Sequence, residues 1–146
     1  KFIGHMEWFL GSRFENFKIF VVEQESPELF NYGALCNAAV KLLEEENYSY
    51  FVFHDLDLLP QENCDYSDTN IQYPTHMAST ILDINGFKPY PHYIGGAFKI
   101  SKDSFYKING FSNDYWGGGF EYLDLLYRMN KTIPDSLPNI KLFDRS

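Results

Sequence analysis

The sequence predicts an α/β domain, and three observations carry that prediction. Short aromatic and β-branched runs that read as buried strands alternate with stretches of helical periodicity. The clearest strand, Tyr50-Phe51-Val52-Phe53, leads into two aspartates spaced i, i+2, Asp55 and Asp57. The 146 residues are 45% hydrophobic and 18% aromatic, which suits one well-filled core and excludes a disordered chain.

The elements follow in order. Phe2, Ile3, Met6, Phe9 and Leu10 have helical spacing, and Gly11-Ser12 ends that helix. Phe17 to Val22 reads as a buried strand, followed by a polar loop containing Pro27. Leu29 to Glu46 reads as a helix with Leu35, Ala38, Ala39, Leu42 and Leu43 on one face, and its Glu44-Glu45-Glu46 end opposes the helix dipole. Tyr50 to His54 is a strand, Gln61 to Thr75 a polar loop, and Met77 to Ile84 a third strand. Ile94 to Ile100 is a fourth strand, opening on Gly95-Gly96. Ser101 caps a helix that Asn109-Gly110 closes. Gly117-Gly118-Gly119 makes a strain-tolerant loop, and Glu121 to Met129 is the last clear helix. Beyond Lys131 the chain is polar and broken by proline, with Ile140 to Phe143 its one apolar stretch.

Composition narrows the function. A net charge of −8 argues against a nucleic-acid partner. An acidic protein that binds an anionic nucleotide needs a metal or local Lys and Arg to offset repulsion. No run of 18 apolar residues and no signal-peptide pattern is present, so no membrane segment is expected in this chain. Cys36 and Cys64 show no metal-ligand spacing and are expected as free thiols. Two glycosylation sequons begin at Asn47 and Asn130 and do not by themselves settle the compartment.

Asp55 and Asp57 stand where the strand leaves the sheet. On an extended backbone their side chains share one side; a lone pair of this kind is more often a loop or helix cap, but beside a buried strand it suits a hard divalent cation with oxygen ligands. In α/β sheets, ligands sit beyond the strands' carboxyl ends. A second constellation reads NGFSNDYWGGGFEYLDLLYR over residues 109–128. Trp116 offers a flat apolar face suited to a sugar ring, and Glu121 and Asp124 share one helix face. His5, His54, His76 and His92 do not cluster in sequence; His54 is the best placed.

Taken in order, FVFHDLDLLP (51–60), PTHMA (74–78), YIGGAFKISKDSF (93–105) and INGFSNDYWGGGFE (108–121) resemble the beta-1,4-galactosyltransferase family, glycosyltransferase family 7. The resemblance runs from about His5 to about Arg128. It implies a GT-A type nucleotide-diphospho-sugar transferase fold, a mixed sheet flanked by helices, in one domain over residues 1–146 with parts of the fold expected beyond both ends. It implies an inverting transferase that uses a UDP-sugar, galactose favoured, a glycan or glycoconjugate acceptor, and Mn²⁺. By the same resemblance Asp57 holds the metal and Asp55 is its partner near the donor. Phe30 lies near the uracil, Tyr93 influences donor choice, and Gly95 and Gly96 line the donor pocket. Trp116 opens the mobile loop, Glu121 contacts the acceptor, and Asp124 matches the last acid of the family's acidic run. A closing loop that excludes water sends the sugar to the acceptor.

Departures from the family pattern bear on activity. The loop tryptophan is replaced by Gly118, and the aspartate expected as base is replaced by Tyr122, which keeps its proton at neutral pH. Glu121 and Asp124 are the remaining candidates for the base. The family's Pro-Phe-Arg-x-Arg strand would precede Lys1, the arginine after Phe30 is Tyr32, and the tail after Arg128 offers no histidine ligand. Tyr50 stands where a family disulfide cysteine would be, which points to a reducing compartment or to a distant branch outside the animal Golgi enzymes; cytoplasm is the expectation, with the Golgi lumen if the chain is part of an anchored animal-type enzyme. The runner-up reading is a non-catalytic domain of this fold that binds a sugar nucleotide or glycan or supports a partner transferase. A hydrolase built on the Asp pair is third, because it lacks a second carboxylate cluster and a histidine set.

Overall fold

In the computed structural model, which describes residues 1–67, 71–83, 86–89 and 94–133, one strand ladder organises the rest. Strand β1 (Tyr50–His54) pairs antiparallel with β5 (Ala97–Ser101), in register from Tyr50 opposite Ser101 to His54 opposite Ala97. The two-residue β2 (Thr75–His76) pairs with the other edge of β5, giving the order β1-β5-β2. A separate hairpin joins β3 (Thr80–Asp83) to β4 (Gly86–Pro89). The helices are α1 (Phe2–Gly11), α2 (Tyr32–Leu42), α3 (Lys102–Lys107) and α4 (Glu121–Thr132).

The sheet is packed on both faces, which accounts for the largely apolar sequence of β1. Phe51 and Phe53 of β1, with Phe98 and Ile100 of β5, face a cluster built from Cys36 and Val40 of α2, Phe105 of α3, and Tyr122, Leu125, Leu126 and Met129 of α4. Val52 faces the opposite cluster, made by Met6, Phe9 and Leu10 of α1 with Tyr66 and Met77. Alternation along β5 places Lys99, 2% exposed, on this second face opposite Val52. Its ammonium donates to the carbonyls of Ser67 (2.8 Å) and Asp65 (3.3 Å), which is how a buried lysine is tolerated here. The layers are therefore helices, sheet, then α1 with its loop.

Several expectations hold in place. The first helix, the strand Tyr50–His54 and the helix capped by Ser101 form where the sequence puts them; Ser101 Oγ accepts from the Ser104 amide at 3.1 Å. Asn109 (φ 61°) and Gly110 (φ 60°) close α3 through left-handed backbone.

Others need correction. Phe17 to Val22 forms no strand: among the described residues it has no ladder partner, and Phe20, Val21 and Val22 are exposed while Phe17 and Ile19 pack on the second cluster. Without a neighbour to take its backbone hydrogen bonds, an apolar run has no reason to become a ladder. Helix α2 begins at Tyr32, three residues later than Leu29, because the side chain of Asn31 caps it at the Ala34 amide (2.9 Å). It ends at Leu42, before the glutamates, where Lys102 Nζ clamps the carbonyls of Glu44 (2.6 Å) and Glu46 (3.0 Å). The stretch from Met77 divides: Met77 still donates to the Ala97 carbonyl (2.8 Å), while 80–83 turns away into the unanticipated hairpin. The expected α/β class itself holds, and within it every described strand pair is antiparallel. The apolar stretch Ile140 to Phe143 lies outside the described residues.

Leu125 is fully buried on α4, whereas Leu42 is 84% exposed. Leu125→Ala is expected to lower the unfolding free energy by about 3 kcal/mol and Leu42→Ala by less than about 0.5 kcal/mol, read from urea denaturation of the two variants.

Candidate active site

The ladder extends one hydrogen bond past β1, and this contact positions the acidic pair. The Asp55 amide donates to the Gly96 carbonyl at 2.7 Å, after which the chain turns sharply at Leu56 and Asp57. The two aspartates thus meet across a turn; the extended backbone expected from their spacing does not continue. Gly96 has φ +86°, and a Cβ there would lie 2.6 Å from Leu58 Cδ1 and 3.0 Å from Ala78 Cβ. Only glycine lets the β5 entry pass beneath the Asp55–Leu58 turn. Gly95, also buried, takes a hydrogen bond from His76 Nε2 (3.0 Å).

His54 fastens the turn from behind. Its Nδ1–H donates to the Asp55 carbonyl (2.8 Å), which fixes the tautomer, so Nε2 accepts from the Tyr66 hydroxyl (2.7 Å). Burial holds this imidazole below its ordinary pKa, against smaller opposing effects of the Asp55 carbonyl and the Asp57 charge. Both ring nitrogens are engaged inside the fold, which gives His54 a structural task.

Three carboxylates converge. Asp57 is exposed and Asp55 half-buried, while Glu121, at the first turn of α4, is 8% exposed. Oε2 of Glu121 is buried and has no hydrogen-bond partner among the described residues. Burial raises the Asp55 carboxyl above its usual range, and the charges of Asp57 and then Glu121 add to it. The Tyr122 hydroxyl opposes this by donating to Asp55 Oδ1 at 3.4 Å. Tyr122 is itself buried between the rings of Tyr32 (5.2 Å) and Phe111 (5.9 Å), and burial drives its hydroxyl far above any basic role. Cys36 lies on the same floor, its thiol pushed up to about 12 by burial. Such a thiol stays protonated and inert.

Asp124 points elsewhere. Its Oδ2 accepts from Arg128 Nε (2.9 Å) and pairs with Nη2 (2.8 Å), and Arg128 also donates to the carbonyls of Ile108 and Gly110. It borders a depression of 380 Å³ lined by Asn109, residues 111–114 and Arg128, which includes neither Asp55 nor Glu121.

The two loops expected to carry the donor and acceptor contacts are joined. Phe30 and Trp116 are half-exposed, and the Gly117 amide donates to the Phe30 carbonyl at 2.7 Å. Asn31, 2% exposed, caps α2 with Oδ1 and donates through Nδ2 to the Asn113 carbonyl (2.7 Å). Asn37 binds both the amide (2.9 Å) and the carbonyl (2.8 Å) of Phe111 and reaches Asn113 Oδ1 (2.8 Å). Sequence reasoning missed Asn31 and Asn37; the preference of asparagine for helix caps was the available signal for the first. Tyr93 lies outside the described residues.

The donor set fits a hard cation only in part. Among the described residues no group of three or more His, Cys, Asp or Glu side chains is placed to hold a metal. Asp57 and Asp55 are the side chains here that could offer oxygen ligands to such a cation, and they would leave its remaining positions to water or a ligand's oxygens.

A GT-A type sugar transferase domain is what this fold and this acidic turn define. A family model described as the N-terminal region of glycosyl transferase group 7 matches residues 1–69, and one described as the N-terminal domain of galactosyltransferase matches residues 75–133. The chain belongs to glycosyltransferase family 7, the family of the beta-1,4-galactosyltransferases. It is 34% identical over 128 residues to human beta-1,4-galactosyltransferase 4, covering 87% of this chain and 37% of that protein. It is 37% identical over 128 residues to beta-1,4-galactosyltransferase 2 of Cricetulus griseus, covering 85% and 34%. The chain thus spans about a third of the length of these relatives. The crystal structure of a Drosophila beta-1,4-galactosyltransferase 7 variant in complex with manganese, UDP-Gal and xylobiose has a TM-score of 0.80 and 30% identity to it, covering 90% of this chain and 54% of that one.

The raised Asp55 carboxyl means that the folded chain holds this proton more tightly than the unfolded chain, so stability falls as pH rises through and above the ordinary carboxylate range. In metal-free buffer Asp55→Asn is expected to melt at a higher temperature than the parent near pH 7, the gap closing by about pH 4. Parallel melting curves check this, and a gap that is independent of pH rejects it.

Proposed function

We propose that this chain is the donor-site part of an inverting galactosyltransferase that moves galactose from a UDP-sugar to a glycan or glycoconjugate acceptor with Mn²⁺. The observation that carries the reading is the convergence of Asp55, Asp57 and buried Glu121 at the end of β1 in a chain of this family. The Drosophila relative, solved with manganese, UDP-Gal and xylobiose, supports the donor, the cation and the kind of acceptor. We read residues 1–146 as one domain.

Asp57 would hold the cation, with Asp55 behind it near the donor; bound there, the cation offsets the charge of the departing diphosphate. Phe30 offers its exposed ring to the uracil, Tyr93 bears on donor choice, and Gly95 and Gly96 form the floor of the donor pocket. Trp116 presents its exposed face to the acceptor sugar. Glu121 is the favoured base. Its unpartnered Oε2 takes the proton of the acceptor hydroxyl as that oxygen attacks the anomeric carbon from the side opposite the leaving diphosphate, which inverts the centre. Asp124, engaged by Arg128, is the second candidate. The glycine loop after Trp116, tied to Phe30 through Gly117, keeps water from the donor.

Tyr122 in place of the expected carboxylate favours a second reading, a non-catalytic domain that binds the sugar nucleotide or glycan or supports a partner transferase. For the compartment, no described helix is long and apolar enough to cross a membrane. The cytoplasmic expectation finds no support in these animal relatives, and we favour the Golgi lumen.

Calorimetric titration of UDP-galactose with and without Mn²⁺ tests the donor site. Asp57→Ala is expected to abolish Mn²⁺-dependent binding; retained binding removes the metal assignment. Glu121→Gln is expected to keep donor binding and lower kcat by roughly 10²–10⁴-fold. Donor binding without any sugar transfer in the parent protein selects the non-catalytic reading.

A further inference from the structure

The two sequons, which the catalytic reading leaves unused, stand in opposite surroundings. Asn130 lies inside α4, half-buried, and its Nδ2 donates to the Leu126 carbonyl at 3.0 Å. Asn47 lies in the irregular connection between α2 and β1, and both Asn47 and the sequon hydroxyl residue, Ser49, are exposed. The surrounding backbone is nevertheless well held. Lys102 Nζ binds the carbonyls of Glu44 and Glu46, the Lys102 amide donates to the Ser49 carbonyl (3.0 Å), and the Tyr48 ring packs against Phe20 (6.0 Å) and Phe51 (6.4 Å). The middle residue of the sequon thus anchors the segment while its two reactive side chains face solvent.

We propose that Asn47 is an N-glycosylation site of this protein and that Asn130 is not. The reaction joins Asn47 Nδ2 to the anomeric carbon of an oligosaccharide carried on a lipid pyrophosphate; the anomeric C–O bond breaks, the lipid pyrophosphate leaves, and the amide gives up one proton. The position is compatible with a working donor site. Asn47 precedes the start of β1 and Asp55 follows its end, so about 17 Å of strand separates them. A glycan there stands at the far end of the sheet, over the α2–β1 connection, and leaves the Asp55–Asp57 turn open.

The inference rests on the luminal placement proposed above, so the test reads compartment and modification separately. The full-length protein is produced in animal cells, its compartment is read by protease protection, and its glycans by peptide-N-glycosidase treatment and mass spectrometry of the sequon peptides. Expected are protection from protease and one mobility shift on deglycosylation that Asn47→Gln removes and Asn130→Gln leaves, with Mn²⁺-dependent UDP-galactose binding unchanged in Asn47→Gln. A protected chain with an unmodified Asn47, or with the glycan on Asn130, overturns the site assignment while leaving the compartment intact. An unprotected chain overturns the compartment and the glycan together, whereas loss of donor binding in both glycosylated and mutant protein touches only the functional reading.

Discussion

The β1–β5 ladder is the constraint on which the rest depends. Its five register pairs bury aromatic side chains on one face and Val52 and Lys99 on the other, so the strands cannot slip without moving Lys99 off its two carbonyl partners. Because the register is fixed, the bond from the Asp55 amide to the Gly96 carbonyl falls at a defined place, and the acidic turn emerges over the glycine pair. Helix α4, packed on the same ladder through Leu125, Leu126 and Met129, brings Glu121 and Tyr122 to that turn. The site is thus a by-product of a two-sided core whose central strand is β5.

Charge at the site follows from where the cations are used. Lys99 serves loop carbonyls, Lys102 holds the turn after α2, and Arg128 serves Asp124 and the end of α3. None of these three is bonded to Asp55, Asp57 or Glu121; burial raises the Asp55 carboxyl, and the nearby charges of Asp57 and Glu121 add to that. Carboxylates crowded in this way are costly by themselves, and a hard divalent cation would offset that cost. Tyr122 moderates it: where a carboxylate is expected from the family pattern, a neutral hydroxyl donates to Asp55. That bond opposes the effect of burial on Asp55, while Oε2 of Glu121 has no hydrogen-bond partner among the described residues.

The asparagines perform a different task. Asn31 and Asn37 have amide groups that donate and accept at once, and both span from α2 to the 111–113 segment. With the Gly117 bond to Phe30, they tie the segment carrying one exposed aromatic ring to the segment carrying the other. A shift of either loop is therefore felt by its neighbour through short polar contacts, and the three glycines with positive φ, Gly117 to Gly119, provide the compliance beyond them.

Much of this was legible in the chain by itself. The apolar run of β1, the Ser101 cap, the Asn109-Gly110 stop and the acidic pair are local signals, decided by propensity and hydrogen bonds within a few residues. The blocks that carry the family resemblance are local as well. What required tertiary structure were the decisions that depend on a distant partner. Phe17 to Val22 has strand composition yet finds no ladder partner among the described residues, the Met77 stretch divides between sheet edge and hairpin, and Asp55 and Asp57 meet by a turn over Gly96. Asp124 and Glu121, three residues apart on one helix, differ in their partners: Arg128 engages Asp124, while Oε2 of Glu121 has no hydrogen-bond partner among the described residues. Sequence determined which groups are present and which short elements they form; the fold decided which of them are neutralised, which are buried together and which are left to act, because those outcomes depend on burial and charge contributed from far along the chain.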